Sequence, residues 1–363
     1  MLLSPLLDLG GVALLSASLA LEPAPMLLAV IGPYNWTGFD WASFGTISHE
    51  IEVKGCEGTF PVQTFSTMAR YGTMSTWHVP LPPECTAGCI DFRVSGHSGE
   101  ATACAEAESP RFTMCYVQMA NPDSARLGFH SQYRLLLSNL AYHRLFFGVD
   151  MAVVYVRRGD THMLQLLAGP RAAGGIRVIE VDVRPTNPYR GIVAGRRFNV
   201  QYWLENDCLI RYKSSKFMRS IDVDEFMYDD GGNWQRLLSE SSADYLYAPR
   251  FDWQLLPAIS PLHSVYRKSL PIRHKLFKSI IKPARVALAW VHHPSNCYGR
   301  ACERLKRHSV SYAHFRIAPE NMTGLVRDTR FAHLVRTTDA LVCQWRPADC
   351  SLAPNTMRFV PPP

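Results

Sequence analysis

No CxxC pair occurs among the ten cysteines, which excludes a zinc ribbon. Charged residues make up only 19% of the chain, and its 38 Lys and Arg are spread along it. The net charge of +7 therefore implies mild attraction to anions, without the organised basic stripe that nucleic acid requires. The densest basic run, Arg300 to His308, also holds Cys302 and Glu303 and reads as a solvated face. Low-complexity tracts and internal repeats are absent. So is any uninterrupted apolar run of the ~20 residues a spanning helix needs. The segment Met1 to Leu21 is apolar, but Pro5, Asp8, Gly10 and Gly11 interrupt it and no positive n-region precedes it. Residues 1–25 are read as a weak signal or anchor remnant, or as a disordered start.

What is present is a globular composition, 47% hydrophobic over 363 residues, enough for one large domain and a small one. Leu21 to Pro25 has the texture of a linker. Over residues 26–110 short apolar runs (Met26 to Ile31, His49 to Val53, Ile90 to Val94) alternate with Gly, Pro, Thr and Ser, which predicts a small β-rich, sandwich-like domain. Trp36, Trp41, Tyr71 and Trp77 either stack on sugar rings there or serve as core. Residues 111–350 change to strand, helix, strand, helix, strand: Phe112 to Met119, Tyr133 to Phe147, Met151 to Val156, a helix from His162, and Ile176 to Val181. A helix over Phe198 to Tyr212 and a strand over Phe217 to Ile221 follow, giving an α/β domain with a largely parallel sheet. Trp234 to Ser239 reads as a helix and Tyr245 to Ala248 as a strand, and residues 351–363 form a Pro-rich tail. Cys85/Cys89, Cys297/Cys302 and Cys343/Cys350 are spaced for short local disulfides. With the sequons at Asn35 and Asn321 they favour the secretory pathway.

The chemistry concentrates at Asp222-Val223-Asp224-Glu225-Phe226. Roughly 0.8 Asp-x-Asp pairs are expected by chance, so the motif alone says little. Its context adds weight, because the carboxylates end an apolar strand, where open α/β sheets gather ligands. Two Asp side chains there can converge on a hard cation, Mn²⁺ or Mg²⁺. Upstream, Gln201 to Tyr212 carries the pattern Q…NDCL.RY, followed by an apolar strand and Asp-Val-Asp-Glu-Phe. With Tyr142-His143 and Phe146-Phe147-Gly148, and the strand Met151 to Val156, this resembles glycosyltransferase family 92, over about Phe112 to Arg316. Within that family it resembles the plant pectic β-1,4-galactan synthases.

The resemblance implies a GT-A type, Rossmann-like glycosyltransferase domain after a β-rich carbohydrate-binding module. It implies UDP-galactose as donor, a polysaccharide or glycoprotein glycan as acceptor, and a lumenal Golgi location, with membrane anchorage and a homodimer left open. Asp222 would contact ribose or metal, and Asp224 would ligate the metal. His292 would complete the shell, with His293 the fallback. Lys275 and Lys278 would meet the diphosphate, Asn206 and Asp207 would line the nucleotide or brace the Asp222 loop, and Arg157 stands where such folds touch uridine.

Glycosyl transfer from a diphosphate needs no strong general acid once a metal stabilises the leaving group. An inverting enzyme does need one base for the acceptor hydroxyl. Asp252 is the candidate, although its surroundings depart from the family pattern. Glu225 would orient the metal shell. Two rivals remain open, a glycoside hydrolase and a lectin-like chain that has lost catalysis. The first would require two facing acids on separate strands, and the second fits poorly with an intact Asp222 and Asp224.

Overall fold

A computed structural model describes residues 2–3, 6–9, 12–21, 24–33, 49–69, 72–86, 88–117, 129–187, 190–193, 196–229, 231–255, 273–290, 292–306, 310–317 and 335–346. Its helices among these are α1 (Phe129–Phe146), α2 (Thr161–Ala172), α3 (Val200–Arg211), α4 (Trp234–Glu240) and α5 (Val335–Trp345).

The largest sheet has ten strands. Inward from the short parallel edge strand Leu2–Leu3, its parallel part continues with four strands, Ile176–Val181, Met151–Arg157, Phe112–Tyr116 and Phe217–Ile221. In chain order this is third, second, first, fourth, so the direction of winding reverses between Phe112–Tyr116 and Phe217–Ile221. The crossover helices obey that reversal. Phe112, Met114 and Tyr116 share a core with α1, α2, α4 and α5 on one face. Cys115, Val153 and Met218 share another with α3 on the opposite face. The strands buried on both faces read as near-continuous apolar runs for this reason. Beyond Phe217–Ile221, Arg273–Ile281 pairs antiparallel with it and with Tyr245–Leu255, which in turn pairs parallel with Val310–Ile317. The sheet is thus mixed rather than largely parallel.

All twelve residues of α3 are buried. An isolated surface helix would not be, and the cause is a second layer above it. Residues 1–25, expected as an anchor remnant or a loose start, include the strand Val12–Ala20, buried at all nine positions. It pairs with Met26–Pro33, so Leu21 to Pro25 connects a hairpin instead of linking domains. Leu15, Leu28, Val30 and Met74 of this five-stranded sheet pack on Trp203, Leu204 and Cys208 of α3. Its other face, with Leu14, Leu27, Ile31 and Trp77, packs on a four-stranded sheet that includes Glu50–Val53 and Cys89–Val94. Those strands alternate buried and open residues, as a half-buried sheet must. The β-rich sandwich predicted from texture is therefore present, and it roofs α3. Trp77 is core, while Trp36, Trp41 and Tyr71 lie outside the described residues, as do residues 351–363.

One of the local cysteine pairings, Cys85/Cys89, needs correction. Cys85 bonds Cys56, and Cys89 bonds Cys104, because the strand Cys89–Val94 pairs with Ala101–Cys104 and sets those two cysteines opposite each other. Cys297–Cys302 forms as spaced. Cys115–Cys208 joins the central strand to α3, and Cys343 is also disulfide-bonded.

Because the module and the large sheet share one core across α3, they should unfold together. Leu28→Ala is expected to cost about 2–5 kcal/mol. Calorimetry should still show a single transition, moved to lower temperature, and two separated transitions would refute the coupling.

Candidate active site

Asp222 directly follows the strand Phe217–Ile221, at the carboxyl edge of the sheet and beside the reversal of strand order. Ligands of open α/β sheets collect at such a crevice. A reciprocal pair of hydrogen bonds makes the chain turn there. The Glu225 N–H donates to the Asp222 carbonyl at 3.1 Å, and the Asp222 N–H donates to Glu225 Oε2 at 3.1 Å. The strand Glu225–Asp229 then leads away, and Asp222 and Asp224 stay half-buried on the turn.

One face of α1 holds this turn in place. Asn139 Nδ2 donates to the carbonyls of Val223 (3.1 Å) and Glu225 (2.6 Å). The Tyr142 hydroxyl donates to the Met227 carbonyl at 2.5 Å. The Met227 N–H donates to His143 Nε2 at 3.0 Å, so the His143 proton sits on Nδ1 and is given to Asn139 Oδ1 at 2.7 Å. Burial pushes the His143 imidazole down to about 3, which keeps Nε2 an acceptor. These residues stand at helical spacing i, i+3 and i+4, which aligns them on one side. Tyr142 and His143 entered the sequence reading only as a family pattern, and Asn139 not at all. Helical spacing from a polar residue was the signal that could have found it.

The charges of the site are buried and paired. Lys278 Nζ lies 3.1 Å from Glu225 Oε2 and 3.5 Å from Asp222 Oδ2. Burial works against its ammonium, but Asp222 and Glu225 outweigh that and hold its pKa above the usual lysine value. Arg219 is fully buried, 3.9 Å from Glu225 Oε2 and over the Tyr312 ring. On the other side Gln201, in the first turn of α3, donates a long 3.5 Å bond to Asp222 Oδ1. One turn on, Glu205 is buried and lines a small cavity with half-buried Trp290 and His293 and the more exposed His292. Its Oε2 has no hydrogen-bond partner among the described residues, and burial pushes its carboxyl up to about 7.

The predicted site residues divide into three groups. Asp222, Glu225 and Lys278 are brought together. His292 is close enough to feel both Lys278 and Glu225, and burial first, then Lys278, lowers its imidazole to about 4, so it is neutral at physiological pH. Still, no group of three His, Cys, Asp or Glu among the described residues is set to hold a metal, so the closed shell of Asp222, Asp224 and His292 is not assembled. The second group is structural. Asn206 gives both amide protons to the carbonyls of Tyr202 and Ala289 and accepts from the Ala289 N–H, so it fixes the hairpin that carries His292. Asp207 accepts from the Tyr155 hydroxyl and Arg211 Nε, beneath the sheet's surface. The third group is fixed by backbone position. Arg157 ends its strand at the carboxyl edge, half-exposed. Asp252 pairs in register with His314, and Lys275 lies in the strand Arg273–Ile281. The side chains of Asp252 and Lys275 lie outside the described residues.

Residues 124–331, more than half of the chain and including this whole turn, match the family model of glycosyltransferase family 92. The chain belongs to that family. As a family 92 chain it is a glycosyltransferase. No curated protein gives a significant match. Among solved structures it is similar to 4-diphosphocytidyl-2C-methyl-D-erythritol synthase from Anaerococcus prevotii, at 8% identity and a TM-score of 0.33, over 64% of this chain and 96% of that one. A likeness at that score adds nothing to the argument. No helix among the described residues of this family 92 chain is long and apolar enough to cross a membrane.

Glu205 gives a pH test of the site's construction. Its folded pKa is above its unfolded one, so the fold keeps a proton that the unfolded chain releases, and stability falls as pH rises from about 4.5 to about 7. Glu205→Gln should therefore raise the unfolding free energy at pH 8 by roughly 2–3 kcal/mol. The gain should be mostly lost at pH 5, as denaturant titrations at the two pH values would show.

Proposed function

We propose that this family 92 chain is an inverting, metal-dependent hexosyltransferase that moves galactose from UDP-galactose to a polysaccharide or glycoprotein glycan. The observation that carries the proposal is the carboxylate turn Asp222–Glu225 at the carboxyl end of a central strand, where the winding reverses. The parallel strand order and the helices on both faces favour a GT-A type, Rossmann-like reading of the α/β half. Galactose and the galactan synthases come from the quoted sequence motifs. Four disulfides with named partners, and no free cysteine among the described residues, favour the lumen of the Golgi or another secretory compartment.

The donor set suits a hard divalent cation. Asp222 already accepts a positive charge, the Lys278 ammonium, so the turn tolerates a cation at that oxygen. Mn²⁺ or Mg²⁺ is commonly held by one or two carboxylates together with substrate phosphates, which does not require a three-residue protein cage. Asp222 and Asp224 would hold it, and the neutral His292 imidazole would offer a further nitrogen ligand. When bound, such an ion neutralises the diphosphate leaving group.

The rest of the reaction falls to the chain's own residues. Arg157, at the strand end on the carboxyl edge, would meet the nucleotide. Asp252 takes the proton of the acceptor hydroxyl as the new oxygen–C1 bond forms. The C1–O bond to the diphosphate breaks, and UDP leaves with the electron pair. Attack opposite the leaving group inverts the anomeric carbon. Glu225 stays paired to Arg219 and keeps the turn in shape.

The test is UDP release from UDP-galactose with Mn²⁺. EDTA should abolish release. Asp224→Ala should lower it by about 10²–10³-fold, the range for loss of one transition-state-stabilising group, with the thermal unfolding transition retained. Full turnover in Asp224→Ala would sink the assignment.

A further inference from the structure

Lys278 was expected to face the diphosphate, yet it is buried against the carboxylates. Its strand runs antiparallel to Phe217–Ile221 with Met218 opposite Ile281. Three residues further along each strand, Lys278 stands level with Ile221, beside the turn. It is 2% exposed, 3.5 Å from the same Asp222 that a divalent cation would use. A buried Glu225 beside a half-buried Asp222, left without a counter-charge, is costly. The lysine supplies that charge.

We infer that Lys278 and the divalent cation are alternative partners of Asp222, and that metal loading releases the ammonium to the donor diphosphate. The inference rests on the metal reading of the site given above. The side chain is suited to the exchange, being a compact charge on a flexible four-carbon stem. Arg219 is not suited to it: fully buried and lying over the Tyr312 ring, it stays beside Glu225. Glu225 therefore keeps a cation when Lys278 leaves, and only Asp222 changes partner. The exchange also matches charge to charge. The ion adds positive charge to the turn as the nucleotide brings its negative diphosphate, and the displaced ammonium meets the excess. Metal alone should then bind weakly, because it must evict a resident cation, and nucleotide should strengthen it.

The experiment measures Mn²⁺ uptake by the full chain without nucleotide, from loss of the free-ion electron paramagnetic resonance signal. Lys278→Met removes the competing charge at similar volume and should bind Mn²⁺ about tenfold more tightly than the wild type, as expected for a close charge removed from a partly buried site. Lys278→Arg keeps the charge and should bind no more tightly than the wild type. A second measurement needs no variant. Acetylation of Lys278 in the wild type, read by peptide mass spectrometry, should accelerate several-fold under saturating Mn²⁺, and it decides the matter if Lys278→Met does not fold. Wild-type uptake with unchanged or weaker binding in Lys278→Met, or Lys278 labelling indifferent to Mn²⁺, overturns the exchange and leaves the metal site standing. No uptake by wild type or variant overturns both.

Discussion

A turn at the end of a central strand is enclosed on most sides, so its carbonyls cannot rely on water. That constraint organises the catalytic half of this protein. The carbonyls of Val223, Glu225 and Met227 find their donors on one face of α1, and the Met227 N–H finds its acceptor on the same face. Buried backbone groups are almost always paired, and an unpaired one is costly. The shape of the turn is thus set by a helix that contributes no acid to it. Asp222 and Asp224 are presented by a backbone with few alternative conformations. A site built this way meets its ligand preorganised.

α3 does the corresponding work on the other face. It is buried along its whole length because a β-sheet covers the side away from the catalytic sheet. Its polar residues are consequently inside the protein. Asn206 and Asp207 bond to the Ala289 hairpin and to Tyr155, while Gln201 and Glu205 point toward the crevice. The β-rich module also touches the hairpin directly, through Thr76 to the Ala287 carbonyl. The module is therefore part of the support of the site, whatever else its outer surface does.

The sequence made the parallel strands legible because burial on both faces leaves an unmistakable apolar run. Ile176–Val181 and Phe217–Ile221 have the bounds the pattern suggested. It also exposed Asp222 and Glu225, whose type and place at a strand end marked them as candidates for the site. It could not distinguish a residue that binds a ligand from one that braces the backbone. Asn206 and Asp207 read as lining the nucleotide or bracing the Asp222 loop, and they brace other segments, the Ala289 hairpin and Tyr155, because a second layer took the solvent away from their helix. Val12–Ala20 was misread for a related reason: an apolar stretch broken by Pro and Gly looks like a failed membrane segment unless its pairing partner, Met26–Pro33, is considered with it. The disulfides Cys56–Cys85 and Cys89–Cys104 depend on strand register, which spacing alone does not carry.

The bond between Cys115 and Cys208 has a consequence for the order of events during maturation. Both residues are completely enclosed in the finished core, one on the central strand and one on α3, 93 positions apart in the chain. An oxidant or an isomerase could not reach either sulfur once the β-sheet has closed over α3. The bond must be made while that helix is still uncovered, after strand and helix have found each other and before the roof is laid. The N-terminal strands leave the ribosome first, yet their final docking on α3 has to wait for the helix and for its oxidation. Assembly of this protein is therefore a race between closure and covalent chemistry, and a chain that closes too early would be trapped with two inaccessible thiols.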